Sequence, residues 1–214
     1  MKKIIFIGLL VTLLFTSCTI TQELHFNKDF SGTAKLSVDM SMFIGMMKGI
    51  DTSSTENSVA DSLKYAFGES KIKLDSVGAT NIKYDWDDST NIMFLSFDFS
   101  DIEMLNTSLN ATNETNKELT KSLSTKHHVF FTREGKTLIY DGAKTESADK
   151  SNKELTAMKD YYKYNLVFTF DRKIKSVENP NVIHEKKSKK VELKGSMFDI
   201  MNENYNSKII FKLK

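Results

Sequence analysis

The chain has 214 residues with one proline and one cysteine, and its 30 lysines and arginines nearly balance 28 acidic residues. Only Arg133 and Arg172 are arginine, the side chain whose planar fork suits phosphates and base edges, so nucleic acid is not an expected partner. A single cysteine excludes an internal disulfide framework, and the length is enough for one well-buried core.

The chain opens with Lys2 and Lys3, continues in the apolar run from Ile4 to Phe15, and passes through Thr16 and Ser17 to Cys18. This is the order of a secretory signal: basic, apolar, then small residues at a cleavage site. As a helix the apolar run reaches only about 18 Å, against a hydrocarbon core of roughly 30 Å, so it does not read as a spanning segment. A cysteine directly after the small residues resembles a bacterial lipobox, with Phe15 standing where a leucine is usual. The reading is a lipoprotein signal over residues 1–17, removed in the mature protein, and Cys18 as the lipidated residue. Its removal takes away Lys2 and Lys3 and no acid, so the remaining charges cancel. With its one cysteine acylated, the chain has no thiol for catalysis or for a metal.

Residues 18–23 are expected as the lipidated cysteine and a short tether, and 24–214 as one domain. In that domain Leu24 and Phe26 alternate with polar residues, as do Ala34, Leu36, Val38 and Met40 after an Asp29–Gly32 turn, which predicts a hairpin. Phe43, Met46, Met47 and Ile50 form a helical stripe behind a Ser41 cap. Val59, Leu63 and Phe67 predict a second helix, with a break near Gly68 before Leu74 and Val77. Ile82, Tyr84 and Trp86, a polar turn and the run from Ile92 to Phe99 form the clearest hairpin, whose return strand reads as central. Ser100 to Glu103 reads as a capping box ahead of Ile102, Leu105 and Leu109.

Segments near 106–126 and 144–153 are polar and poor in apolar residues, and are expected to be mobile. Between them, residues 127–142 predict a hairpin turning at Glu134–Lys136. Leu155, Met158 and Tyr162 suggest a short helix before the strand 165–171. Strands over 189–195 and 207–214 close the chain, separated by a short helix capped by Ser196. The predicted fold class is α+β: one mainly antiparallel twisted sheet of hairpins with helices packed on it.

No catalytic residue, metal ligand or cofactor is predicted. His127 and His128 are adjacent on a predicted strand and point to opposite faces. The acidic loop 85–91 lacks the glycine and the glutamate of a calcium loop and reads as a hairpin tip. Two groups remain as lipid or partner contacts. Phe43, Met46, Phe94 and Phe97 read first as core, with an apolar groove between helix and sheet as the alternative. Lys186, Lys187, Lys189 and Lys190 read as a solvated strand edge, or as contacts to anionic head groups of the anchoring membrane.

Residues 23–41 resemble the first hairpin of uncharacterised bacterial envelope lipoproteins, in which a strand, an Asp, a Ser-Gly turn and a second strand follow the lipidated cysteine. Residues 166–200 resemble their closing segment, with Asp171-Arg172 where that pattern has Pro-Gly and Leu193 where it has an aromatic residue. The layout is also similar, more distantly, to LppM-like lipoproteins. The resemblance implies an envelope lipoprotein with a non-enzymatic, lipid-contacting domain. The expected location is the cell envelope, the outer membrane in a diderm source, with the membrane met through the anchor and a lipid or an envelope protein as partner. An unfamiliar hydrolase site is the remaining alternative.

Overall fold

The computed structural model describes residues 18–41, 44, 53–87, 89–115, 128–142, 162–196, 199 and 205–214. The chain is α+β. It forms strands β1 (Cys18–Phe26) and β2 (Gly32–Asp39), helix α1 (Ser53–Ser76), strands β3 (Thr80–Asp87) and β4 (Ile92–Phe99) and helix α2 (Ile102–Thr115). After these come β5 (Phe131–Glu134), β6 (Thr137–Tyr140), β7 (Tyr162–Phe170), β8 (Ile174–Glu178), β9 (Val182–Ile183), β10 (Lys190–Ser196) and β11 (Ile209–Leu213).

Among the described residues the strands form two sheets, not the single one expected: seven strands in the order β3-β4-β2-β1-β7-β10-β9, and four in the order β5-β6-β11-β8. Neighbours are antiparallel except β1 and β7, which run parallel with Cys18 opposite Tyr162 and Phe26 opposite Phe170. Local alternation cannot reveal this pairing, because it joins segments far apart in the chain and makes β1 the middle strand of the larger sheet.

The predicted tether over residues 19–23 is therefore strand. Thr19 to Phe26 pair with β2 on one side, and Cys18 to Phe26 pair with β7 on the other. Other expectations change as well. Helix α1 runs through Gly68 without a break and ends at Ser76, ahead of a turn at Gly78, whose φ of +87° suits a residue without Cβ. The cap of α2 is Asp101, whose Oδ1 accepts the Met104 N–H at 2.8 Å; Ser100 instead donates to the other Asp101 oxygen. Residues 106–115 belong to α2, while 116–127 and 144–153 lie outside the described residues, as does most of the helix expected over 41–50. Tyr162 opens β7 and Ser196 ends β10; the helices expected beside them also lie largely outside. Strands β8 and β9 were not expected.

β4 has partners on both sides, yet its burial alternates: Met93, Leu95, Phe97 and Phe99 are buried and Ile92 and Phe94 half-buried. The core lies where the two sheets and the helices meet. Phe26 of β1 stacks on Phe170 at 5.3 Å and meets Phe131 of the smaller sheet edge-on at 5.6 Å. Phe211 of that sheet lies 4.9 Å from Phe168 and 5.0 Å from Phe170. Leu74 of α1 and Leu105 of α2 are fully buried in the same cluster. Each such side chain contributes about 1.5–3 kcal/mol of burial free energy. Gly32 is required here, since a Cβ would lie 1.8 Å from the His25 carbonyl oxygen and 2.8 Å from the Phe99 ring.

Candidate functional site

The register gives the larger sheet two distinct ends. At one end the row Phe99–Gly32–Phe26–Phe170 is sealed by the aromatic cluster. At the other end stands Cys18, and the corresponding row of Trp86, Met93, Val38, Ile20 and Tyr164 is half-buried apart from Met93. Residue parity places Cys18 with Ile20, Leu24 and Phe26 on the inner face of β1. Its thiol is partly enclosed, and burial, followed by the charge of Asp39, pushes its pKa up.

Across β1, β7 and β10, a cavity of about 410 Å³ opens at this end, lined by Thr19, Lys163, Tyr164, Asn165, Lys194, Gly195 and Ser196. β7 supplies Lys163 and Asn165 and β10 supplies Lys194, brought together because Lys163 pairs with Ser196 and Asn165 with Lys194. Lys194 and Lys190 both bind Glu192, at 2.5 Å each, and hold that carboxyl below its usual range. Asn165 Oδ1 is buried without a hydrogen-bond partner. From the inner face, the Tyr164 hydroxyl donates to Gln22 Oε1 at 2.5 Å, and burial drives its pKa far above the ordinary phenol value.

The sequence did not single out Lys163, Tyr164, Asn165 or Lys194. Alternation over 162–170 separates Lys163 and Asn165 from Tyr164 and Leu166, but nothing local places that strand beside Cys18. The residues that were singled out fall elsewhere. Phe94 and Phe97 lie on opposite faces of β4, so they cannot line one groove; Phe97 is core, and Phe94 carries the Lys35 ammonium 5.2 Å from its ring centroid. Phe43 and Met46 lie outside the described residues.

Lys186, Lys187 and Lys189 occupy the β9–β10 turn at the edge of the larger sheet, and Lys190 begins β10 opposite Thr169. That level of the sheet matches His25, about 23 Å from Cys18 at roughly 3.3 Å per residue. The cluster therefore stands at the end remote from Cys18. The lysines nearest to Cys18 along the paired strands are Lys163 and Lys194.

The described histidines are held by separate partners. His25 Nε2 lies 3.5 Å from Asp171, His128 Nε2 meets the Asp141 carbonyl at 2.8 Å, and His184 Nδ1 meets the Lys190 carbonyl at 3.2 Å; His127 lies outside the described residues. No group of three His, Cys, Asp or Glu among the described residues could hold a metal ion. At the hairpin tip Asp87 Oδ1 accepts the Ser89 N–H at 2.9 Å and the Ser89 hydroxyl at 2.6 Å, so this carboxylate closes its own turn. Among the described residues no helix is long and apolar enough to cross a membrane.

No family model and no curated protein matches the chain. Among solved structures, the folded domain of LppM from Mycobacterium tuberculosis is similar with a TM-score of 0.41 at 10% identity, over 93% of this chain and 90% of that one.

Proposed function

We propose that the chain is a lipid-anchored envelope protein whose domain is joined to its anchor without a spacer and acts as a non-catalytic binding platform. The observation that carries this reading is the position of Cys18, the acceptor residue of the lipobox-like motif, as the first residue of the central strand. Two or more acyl chains there, at about 0.8 kcal/mol per buried methylene, hold the protein on a bilayer. Strand pairing on both sides of β1 then fixes the domain to that bilayer, with the Cys18 end facing it and the β9–β10 lysines turned away. In a diderm source the outer membrane is the proposed location.

The test is incorporation of labelled palmitate in cells. Wild-type protein takes up label and fractionates with membranes; Cys18→Ala loses both while keeping its denaturation midpoint. Undiminished labelling of Cys18→Ala contradicts the reading.

One observation favours a second role, that the domain itself holds a lipid. The cavity near Cys18 has the size of a small-ligand site and carries two lysines and an unpartnered amide oxygen. Mass spectrometry of the purified protein checks this: a lipid that copurifies with wild type and is lost in Lys163→Glu supports it, and equal lipid content in the two contradicts it.

A further inference from the structure

Two arginines serve the whole chain, against 28 lysines, and the fold brings both to one ring. Arg133 comes from β5 in the smaller sheet and Arg172 from the turn that follows β7 in the larger one. The Arg133 guanidinium carbon lies 4.2 Å from the centroid of Phe30, and that of Arg172 lies 5.5 Å from the same centroid. Phe30 sits in the β1–β2 turn with a φ of +71° and is 1% exposed. Left-handed backbone at an aromatic residue costs roughly 1–2 kcal/mol. The turn is held in place by Asn27, which donates its backbone N–H to the Ser31 carbonyl and its side-chain amide to the Ser31 hydroxyl.

Each guanidinium is also fixed in orientation. Arg172 Nε donates to the Lys28 carbonyl at 2.7 Å, and Arg133 Nε donates to the Gly135 carbonyl at 3.1 Å. This uses one donor of each fork and leaves the terminal N–H groups. Among the described residues neither arginine forms an ion pair. Of the nearby carboxylates, Asp29 accepts the Ser31 hydroxyl and N–H at 2.7 and 3.1 Å, bonds that together with the Arg133 charge hold it below its usual range, and Asp171 faces His25. Arg133 is exposed and Arg172 half-exposed, so the site is open to solvent.

Covering Phe30 needs only a flat or aliphatic surface, which the lysines used everywhere else could supply. What arginine adds is a planar fork that makes paired, charge-assisted hydrogen bonds to an oxyanion. Together the two forks carry a charge of two, offset in part by Asp29 beside Arg133, and they offer more N–H donors than the two oxygens of a carboxylate accept, which suits the three free oxygens of a phosphate group.

We propose that Arg133 and Arg172, preoriented on Phe30, form a binding site for a phosphate group. The β1–β2 turn lies at the opposite end of the larger sheet from Cys18, so on an anchored protein the site faces away from the bilayer. It rests on the fold alone and stands whether or not Cys18 is acylated.

Because the chain has only two arginines, its arginine Nε–Hε nuclear magnetic resonance spectrum contains two signals, assigned by Arg133→Lys and Arg172→Lys in turn. The full chain in non-ionic detergent is titrated with inorganic phosphate, with glycerol phosphate, and with acetate and chloride at matched ionic strength. The expected result is that both signals move along one isotherm with phosphate, that acetate is roughly tenfold weaker or worse, and that each lysine variant raises the dissociation constant by roughly tenfold with an unchanged backbone amide spectrum. Tighter binding of glycerol phosphate than of inorganic phosphate assigns the ligand to a phosphorylated head group or sugar, and the reverse order assigns it to the free ion. Signals that move no more than in chloride, that follow different midpoints, or that respond equally to acetate overturn the proposal. So does full phosphate binding by either lysine variant, which keeps the charge and the aliphatic cover but loses the fork.

Discussion

The two ends of β1 follow the same alternation and end in different environments. Leu24 and Phe26 are at most 1% exposed, whereas Cys18, Ile20 and Gln22 on the same face are half-buried. At the Phe26 end the smaller sheet supplies Phe131 and Phe211, which close the aromatic cluster. At the Cys18 end the described partners are Val38, Tyr164 and Trp86, and the polar pair Tyr164–Gln22 replaces ring packing. One strand thus carries the stability of the domain at one end and the proposed attachment at the other. An anchor point placed in the tightest core would couple every change near the membrane to global unfolding; a half-buried end avoids that coupling.

The sharpest way to break this contrast is to truncate both ends. Phe26→Ala is expected to cost about 3–5 kcal/mol in urea denaturation, because it leaves a cavity beside the rings of Phe99, Phe131 and Phe170. Ile20→Ala, on the same face six residues earlier, is expected to cost less than about 2 kcal/mol, since its side chain is only half removed from water. Equal losses at the two positions would erase the distinction between the ends.

The Tyr164–Gln22 bond sharpens the contrast through pH. Burial raises the Tyr164 pKa, so the folded state keeps a proton that the unfolded chain releases near pH 10. Its contribution is complete below that value and is lost as pH rises beyond it. Tyr164→Phe is expected to cost about 1 kcal/mol at neutral pH through loss of the hydrogen bond, and to flatten the fall in stability above about pH 10. Urea midpoints at pH 7, 9 and 10.5 check both parts.

The smallest expected effect lies away from both ends, at the α2 cap. Asp101→Ala is expected to cost about 1 kcal/mol or less, and Asp101→Ser close to nothing. Because the Met104 N–H, with Ser100, holds the Asp101 carboxyl below its usual range, the cap's contribution is present at neutral pH and fades as pH falls below about 4. Thermal denaturation of the two variants at pH 7 and pH 3 measures this.

Local pattern made much of this architecture readable. The β1–β2, β3–β4 and β5–β6 hairpins follow from period-two alternation around turn residues, and α2 from the spacing of Ile102, Leu105 and Leu109. What could not be read depends on chain-distant pairing. Residues 19–23 look like a tether because Thr19, Thr21 and Glu23 are polar; they are strand because β2 and β7 flank them, and polar residues suit the outer face. The same pairing decides which lysines lie nearest Cys18. Lys186–Lys190 stand out in the sequence as a run, yet run length says nothing of position, and Lys163 and Lys194 reach the Cys18 end as single residues on two strands. The arginine pair is legible only as scarcity: two arginines in the chain are a compositional oddity, but their meeting at Phe30 depends on both sheets.

The proposed orientation, with the Cys18 end of the larger sheet toward a bilayer, is checked by labels at the two ends of that sheet. With Cys18 acylated, Lys163→Cys and Lys187→Cys each provide a single free thiol for a spin label on protein reconstituted in vesicles. The label at 163 is expected to be relaxed by a bilayer-partitioning agent and shielded from a water-soluble one, and the label at 187 to show the opposite. Equal accessibility at the two positions, or the reverse order, would contradict it.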